Sequence, residues 1–100
     1  MAHRLVFDPR IPNDITLALD YYEQLSTELA VRFRAQVNAR FDDIEQRAES
    51  FPIDVAPVRF ARLRRFPYLI FFVVKPEFVS IIAILHGSSA PAQWRDRLAN

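Results

Sequence analysis

Apolar residues recur with two rhythms along this 100-residue chain, and the change of rhythm divides it into a helical first half and a β-rich second half. His3 to Phe7 is short and apolar and stops at Asp8-Pro9, which predicts one strand. Pro9 and Pro12 bracket a connector, and Asn13 or Asp14 is placed to cap a helix. Ile15, Ala18, Tyr22, Leu25 and Leu29 then recur at steps of three and four, one face of an α-helix. Ser26-Thr27 interrupts the stripe and offers a hydroxyl cap to a second helix, with Glu28 in its first turn. In that helix Leu29, Phe33, Val37, Phe41, Ile44, Ala48 and Phe51 advance by three or four residues at a time, and Pro52 ends it. The opposite face carries Arg32, Arg34, Gln36, Arg40, Asp43 and Gln46. Two consecutive helices with so brief a break form an antiparallel hairpin.

From Val58 onward the pattern is that of strands. Val58 to Arg65 is Arg-rich and broken by Phe66-Pro67, since Pro cannot donate to a central ladder. Tyr68 to Lys75 and Phe78 to Leu85 are strongly β-forming runs separated by Pro76-Glu77. Short connections make the three an antiparallel meander. Pro91 to Leu98, with Trp94 among charged residues, reads as a short helix or an ordered tail. The expected fold is α+β, in the order β-α-α-β-β-β. A helical hairpin packs on a mostly antiparallel four-stranded sheet, in a single domain over residues 1–100. The last two strands are apolar on both faces, but the hairpin covers only one. Their second face is therefore expected to be covered by a partner helix or by a second copy of the chain.

Composition narrows the chemistry. Cys is absent, so neither a disulfide framework nor a thiolate metal site is available. The single glycine, Gly87, excludes a glycine-rich phosphate loop. Apolar residues at 51%, with 13% aromatic, supply a core and argue against disorder. No apolar run approaches the ~20 residues of a membrane helix, and the N-terminus has no signal-peptide core. A soluble cytoplasmic protein without metal or cofactor is expected. Charge is divided unevenly: six arginines face ten carboxylates up to Pro57, and seven basic residues face two carboxylates thereafter. A positive second half is the more informative fact.

Three blocks of residues carry a resemblance. They are Asp14-Ile15 with Ala18, Tyr21-Tyr22, Ser26, Leu29-Ala30 and Arg32-Phe33; Val58-Arg59, Leu63, Arg65-Phe66-Pro67-Tyr68 and Ile70; and Ile81, Ala83, Leu85-His86, Pro91, Trp94 and Arg97. Together they span essentially the whole chain and resemble the ParE/RelE superfamily, the toxin halves of bacterial toxin–antitoxin modules. The Phe-Pro-Tyr step, and the His followed by Pro and Trp, are similar to the ParE branch. The resemblance implies a type II toxin, of the kind that stabilises plasmids, which is neutralised by a cognate antitoxin and inhibits DNA gyrase by binding. Its alternatives are a ribosome-dependent mRNA endoribonuclease of the RelE type and a toxin-fold remnant that only binds antitoxin. Ser88 and Ser89 stand where the ParE-like pattern often has basic residues. Tyr68 and Phe71-Phe72 stand where RNA-cleaving relatives tend to place Arg and a Tyr or basic group.

The residues themselves favour binding over catalysis. RNA cleavage through a 2′-OH needs a base, an acid and positive charge on the phosphate. His86 is a possible acid or base by its residue type, and Arg59, Arg62, Arg64 and Arg65 can hold phosphate. The only carboxylates after Pro57 are Glu77 and Asp96, and the pattern sets neither beside His86. The other reading of His86 is a strand-end residue hydrogen-bonded to backbone or to Tyr68. The Arg59–Arg65 run reads as a docking surface for an acidic partner, a solvated face or a phosphate track. Without Lys in the run, and at a net charge of +1, direct nucleic-acid binding is not expected. Tyr21 and Tyr22 cannot both face the core, so one is expected to be buried and the other free. Trp94 is either a clamp on the sheet or an exposed anchor. The candidate antitoxin- or target-binding set is Tyr21, Arg59, Arg62, Arg64, Arg65, Tyr68, His86, Trp94 and Arg97, with possible homodimerisation.

Overall fold

Pro12 lies in the first turn of the first helix, where a missing N–H leaves no bond unmade, so the helix begins ahead of the Asn13/Asp14 cap that local rules predict. The computed structural model describes residues 3–88 and 92–98. In chain order it contains β1 (Leu5–Phe7), α1 (Ile11–Leu25), α2 (Thr27–Arg47), a short 3₁₀ turn (Ala48–Ser50), β2 (Val58–Arg62), β3 (Tyr68–Val74), β4 (Val79–His86) and α3 (Ala92–Leu98). Ser26 both ends α1 and starts α2. Its N–H donates to the Tyr22 carbonyl at 2.8 Å, and its Oγ accepts from the Leu29 N–H at 3.3 Å. The cap of the second helix is the one the sequence offers. Ser89 and Pro91, which belong to the resemblance, lie outside the described residues.

The sheet order is β1-β4-β3-β2. β1 runs parallel to β4, and the other two pairings are antiparallel. Phe71 opposes Ala83 and Phe72 opposes Ile81, so Ile82 is an extra residue, a β-bulge in β4. Alternation then sorts the apolar side chains. Ile70, Phe72, Val79, Ile81 and Ile84 meet Ala18, Tyr22, Phe33, Val37 and Ile44 of the hairpin. Phe71, Val73, Ile82 and Ala83 turn to the other face with Val58.

That other face corrects an expectation. The strand pattern predicts a second face left for another molecule, but α3 folds over it. Trp94, only 2% exposed, lies against Phe71 with 5.9 Å between ring centres. The chain covers the surface with its own C-terminal helix, so the clamp reading of Trp94 is the one observed. Its indole N–H has no acceptor among the described residues.

A buried ion pair fixes α3. Asp14, turned inward on α1, accepts from the Ile84 N–H at 2.9 Å. The Arg97 guanidinium binds both Asp14 oxygens, at 2.6 and 2.9 Å, and also donates to the carbonyl of the bulge residue Ile82 at 3.0 Å. β1 pairs with β4 only as far as Ile81. Beyond that point these two side chains meet edge groups of β4 that a longer β1 would have taken. No helix among the described residues is long and apolar enough to cross a membrane.

Candidate functional site

The end of the sheet where β3 begins and β4 ends gathers most of the exposed residues singled out from the sequence. Tyr68 and His86 are cross-strand neighbours, with ring centres 5.3 Å apart in an edge-on contact. The Gly87 N–H donates to the Pro67 carbonyl at 2.6 Å and clips the end of β4 to the β2–β3 turn. Beneath them Tyr22 is buried against Phe33 and Phe66, with ring centres 5.3 and 5.0 Å away. Tyr21 packs edge-on against Tyr22 but is 57% exposed, so the pair divides as helical spacing requires. Tyr21, Tyr22, Leu25, Pro67, Tyr68 and His86 line one hollow of about 450 Å³.

Electrostatics there are those of a neutral aromatic surface. Burial, and then the neighbouring phenols, raise the Tyr22 hydroxyl above the usual tyrosine range. Burial, with a smaller contribution from Tyr21, does the same for Tyr68. Both remain protonated donors at neutral pH. The His86 Nδ1 accepts from the Ser88 N–H at 3.1 Å and lies 2.8 Å from the Ser88 hydroxyl, which places the neutral ring's proton on Nε2. None of the residues lining the hollow is a carboxylate. Glu77 lies in the β3–β4 turn at the opposite end of the sheet, and Asp96 lies on α3. His86 therefore has no acidic partner within the hollow for a coupled proton transfer.

Next to this hollow the β2–β3 turn presents two arginines. Phe66 is buried and anchors the turn, and the Leu63 N–H donates to the Tyr68 carbonyl at 3.0 Å. Arg65 sits at φ 68°, a left-handed conformation that residues with a Cβ seldom occupy. Arg64 and Arg65 are exposed and line a second hollow with Leu29, Arg32, Gln36 and Phe66. Arg32, which also pairs with Glu28, comes from the polar face of α2 and was not among the candidate binding residues read from the sequence. Only the packing of α2 against the turn brings it in.

The remaining candidates are placed differently. Arg59 donates to the carbonyls of Glu49 and Phe51, at 3.1 and 2.6 Å, and ties β2 to the segment after α2. Arg62 is exposed, and its own carbonyl accepts from Arg40 at 2.7 Å. Trp94 and Arg97 hold α3 to the sheet. The structure thus brings Tyr21, Tyr68 and His86 together, sets Arg64 and Arg65 beside them, and engages Arg59, Trp94 and Arg97 in internal contacts.

Comparison with known proteins gives this geometry a family. A family model described as the ParE toxin of the type II toxin–antitoxin system, parDE, matches residues 5–91. Among solved structures, one titled "Chromosomal ParDE TA system from P. aeruginosa" superposes with a TM-score of 0.74 at 24% identity, covering 85% of this chain and 96% of that one. At that identity the likeness speaks for the fold. No curated protein matches the chain. The match over residues 5–91 runs from β1 through β4, and the chain belongs to the ParE toxin family.

Proposed function

From membership of the ParE toxin family we propose that this chain acts by binding and inhibiting DNA gyrase, the activity that the ParE resemblance implies, and that a cognate ParD-type antitoxin neutralises it. The family match along residues 5–91 carries the reading. The geometry supports binding over catalysis, because the hollow at His86 holds phenols and an imidazole but no carboxylate. The contact residues proposed are Tyr21, Arg62, Arg64, Arg65, Tyr68 and His86, whose side chains remain at the surface or at the rim of the hollow. Arg59, Trp94 and Arg97 are left out because their side chains are occupied within the chain. A purified supercoiling assay tests the proposal. Gyrase activity should fall on addition of the chain and return when the antitoxin is added in equal amount. Unimpaired supercoiling, together with codon-specific mRNA cuts that disappear in His86→Ala, would replace gyrase inhibition with ribosome-dependent RNA cleavage.

A further inference from the structure

Two hollows meet at the β2–β3 turn, and their walls differ in chemistry. Phe66 lines one and Pro67, the next residue, lines the other. The first, of about 310 Å³, is walled by Arg32, Arg64 and Arg65 together with the Gln36 amide. The second is the ring-lined hollow of Tyr21, Tyr68 and His86. None of the residues lining either is a carboxylate. Arg64 and Arg65 make no ion pair or hydrogen bond among the described residues, and Arg32 pairs with Glu28, one turn back on α2. A net charge of +1 and an arginine run without Lys speak against nucleic acid, but the packing of α2 adds a guanidinium from outside that run.

The charge selects the anion. A carboxylate offers two oxygens, which the fork of a single guanidinium already satisfies. Three guanidiniums around one hollow suit a phosphate monoester, with three acceptor oxygens and a charge of about −1.5 to −2 at neutral pH. Arg65 holds its place at φ 68°, where glycine would sit without strain. Strain of this kind collects at ligand clamps.

The ring-lined hollow selects what accompanies the anion. Aromatic walls stack on planar rings. The His86 Nδ1 accepts from the Ser88 N–H, which leaves Nε2–H to donate, and the Tyr21 and Tyr68 hydroxyls make no hydrogen bond among the described residues. A nucleobase meets rings with its face and donors with the acceptors of its edge. A phenyl ring has no acceptor on its edge. Ring and anion also belong to separate hollows, so a spacer must join them, as the sugar does in a nucleotide. A phosphorylated tyrosine has no such spacer.

We propose that this face binds a nucleoside 5′-monophosphate, with its base in the Tyr21–Tyr68–His86 hollow and its phosphate among Arg32, Arg64 and Arg65. This goes beyond gyrase inhibition and does not depend on it. The same group exists as a free nucleotide and as the 5′-phosphorylated end of a strand.

Calorimetric titration at low salt with deoxyadenosine 5′-monophosphate tests this. The nucleotide should bind about tenfold or more tightly than deoxyadenosine, inorganic phosphate or phenyl phosphate. Arg64→Ala should reduce it towards the affinity of deoxyadenosine, and Tyr68→Leu towards that of inorganic phosphate. Arg65→Gly removes a guanidinium and relieves the backbone, so binding should weaken while the thermal midpoint holds or rises, which separates a lost ligand from a lost fold. A short oligodeoxyadenylate with a 5′-phosphate that binds more tightly than the free nucleotide, and than the same strand without it, assigns the ligand to a strand end. A strand that binds no more tightly than the free nucleotide assigns it to the latter. A nucleotide that binds no better than its parts would overturn the proposal. So would phenyl phosphate, or an acidic peptide bearing one aromatic residue, that binds as tightly as the nucleotide.

Discussion

The two faces of the sheet are buried by different means. The hairpin face is covered by two long helices and an aromatic cluster. In it Phe33 packs against Tyr22, Phe66 and Tyr68 at 5.1 to 5.3 Å between ring centres. The other face is covered by seven residues, Ala92–Leu98, anchored by one indole and one ion pair. A helix of that length is not stable alone in water, so α3 exists because it docks. Apolar packing is graded: many small contacts share the load, and each can be trimmed. An ion pair in a dry site is closer to all-or-none. Its net contribution is modest, but removing one member strands the other without water. Where little apolar surface is available, a polar anchor determines the position of the element.

This contrast yields ordered expectations. Phe33→Ala opens a cavity in the middle of the larger core and should cost about 3–5 kcal/mol. Urea denaturation should show the loss as a lower midpoint, with every spectroscopic probe moving together. Asp14→Ala leaves the Arg97 guanidinium and the Ile84 N–H without their acceptor, at a cost of about 3 kcal/mol. Here the probes should separate, with Trp94 fluorescence shifting to the red before far-UV ellipticity falls. Adding Arg97→Met to Asp14→Ala should recover part of the loss. If the double variant is no better than the sum of the two single changes, the pair is not the anchor described.

The smallest effect concerns acid. Hydrogen bonds from the Arg10 side chain hold the Asp8 carboxyl below its usual range against the upward push of burial, with further help from the Arg10 N–H and from the nearby charge of Arg97. A carboxyl depressed in the folded state contributes stability that is complete above its unfolded value, about pH 4, and is lost as pH falls through the lower folded value. Asp8→Asn should therefore cost under about 1 kcal/mol at neutral pH. The difference from the wild type should vanish in strong acid, as pH-dependent urea midpoints can show.

Much of the architecture was legible because it depends on local period. The stripe through Phe33, Val37, Ile44 and Ala48 is buried as its spacing requires, and β1, β3 and β4 lie within two residues of their predicted limits, whereas β2 ends at Arg62, three residues before the predicted Arg65. Asp14 was misread for a physical reason. An acid near a helix start ordinarily serves the N–H groups of the first turn. Yet Asp14 also falls in line with Ile11, Ala18 and Tyr22, and a carboxylate in an apolar stripe calls for a buried cation. That signal was present, but its partner, Arg97, is 83 residues away, and no local pattern connects them. Arg59 escaped for a similar reason. A charge on an Arg-rich strand reads as available to a partner, and the carbonyls that hold it belong to a segment whose path only tertiary packing decides. Tyr68 and backbone were both offered as partners of strand-end His86 by the sequence, and His86 meets both, but the ring-edge form of the Tyr68 contact needed strand register, which two nearly continuous apolar runs do not reveal.

The bulge at Ile82 bears on how this sheet tolerates insertions and deletions. Val79 and Ile81, at odd positions, share a face with Ile84 and His86, at even positions, only because β4 carries one spare residue between them. A strand one residue shorter would close into regular pairing and keep the imidazole opposite Tyr68. A strand one residue longer would turn the imidazole to the α3 side. β4 therefore has slack in one direction: it can shorten without disturbing the far end of the sheet, and it cannot lengthen.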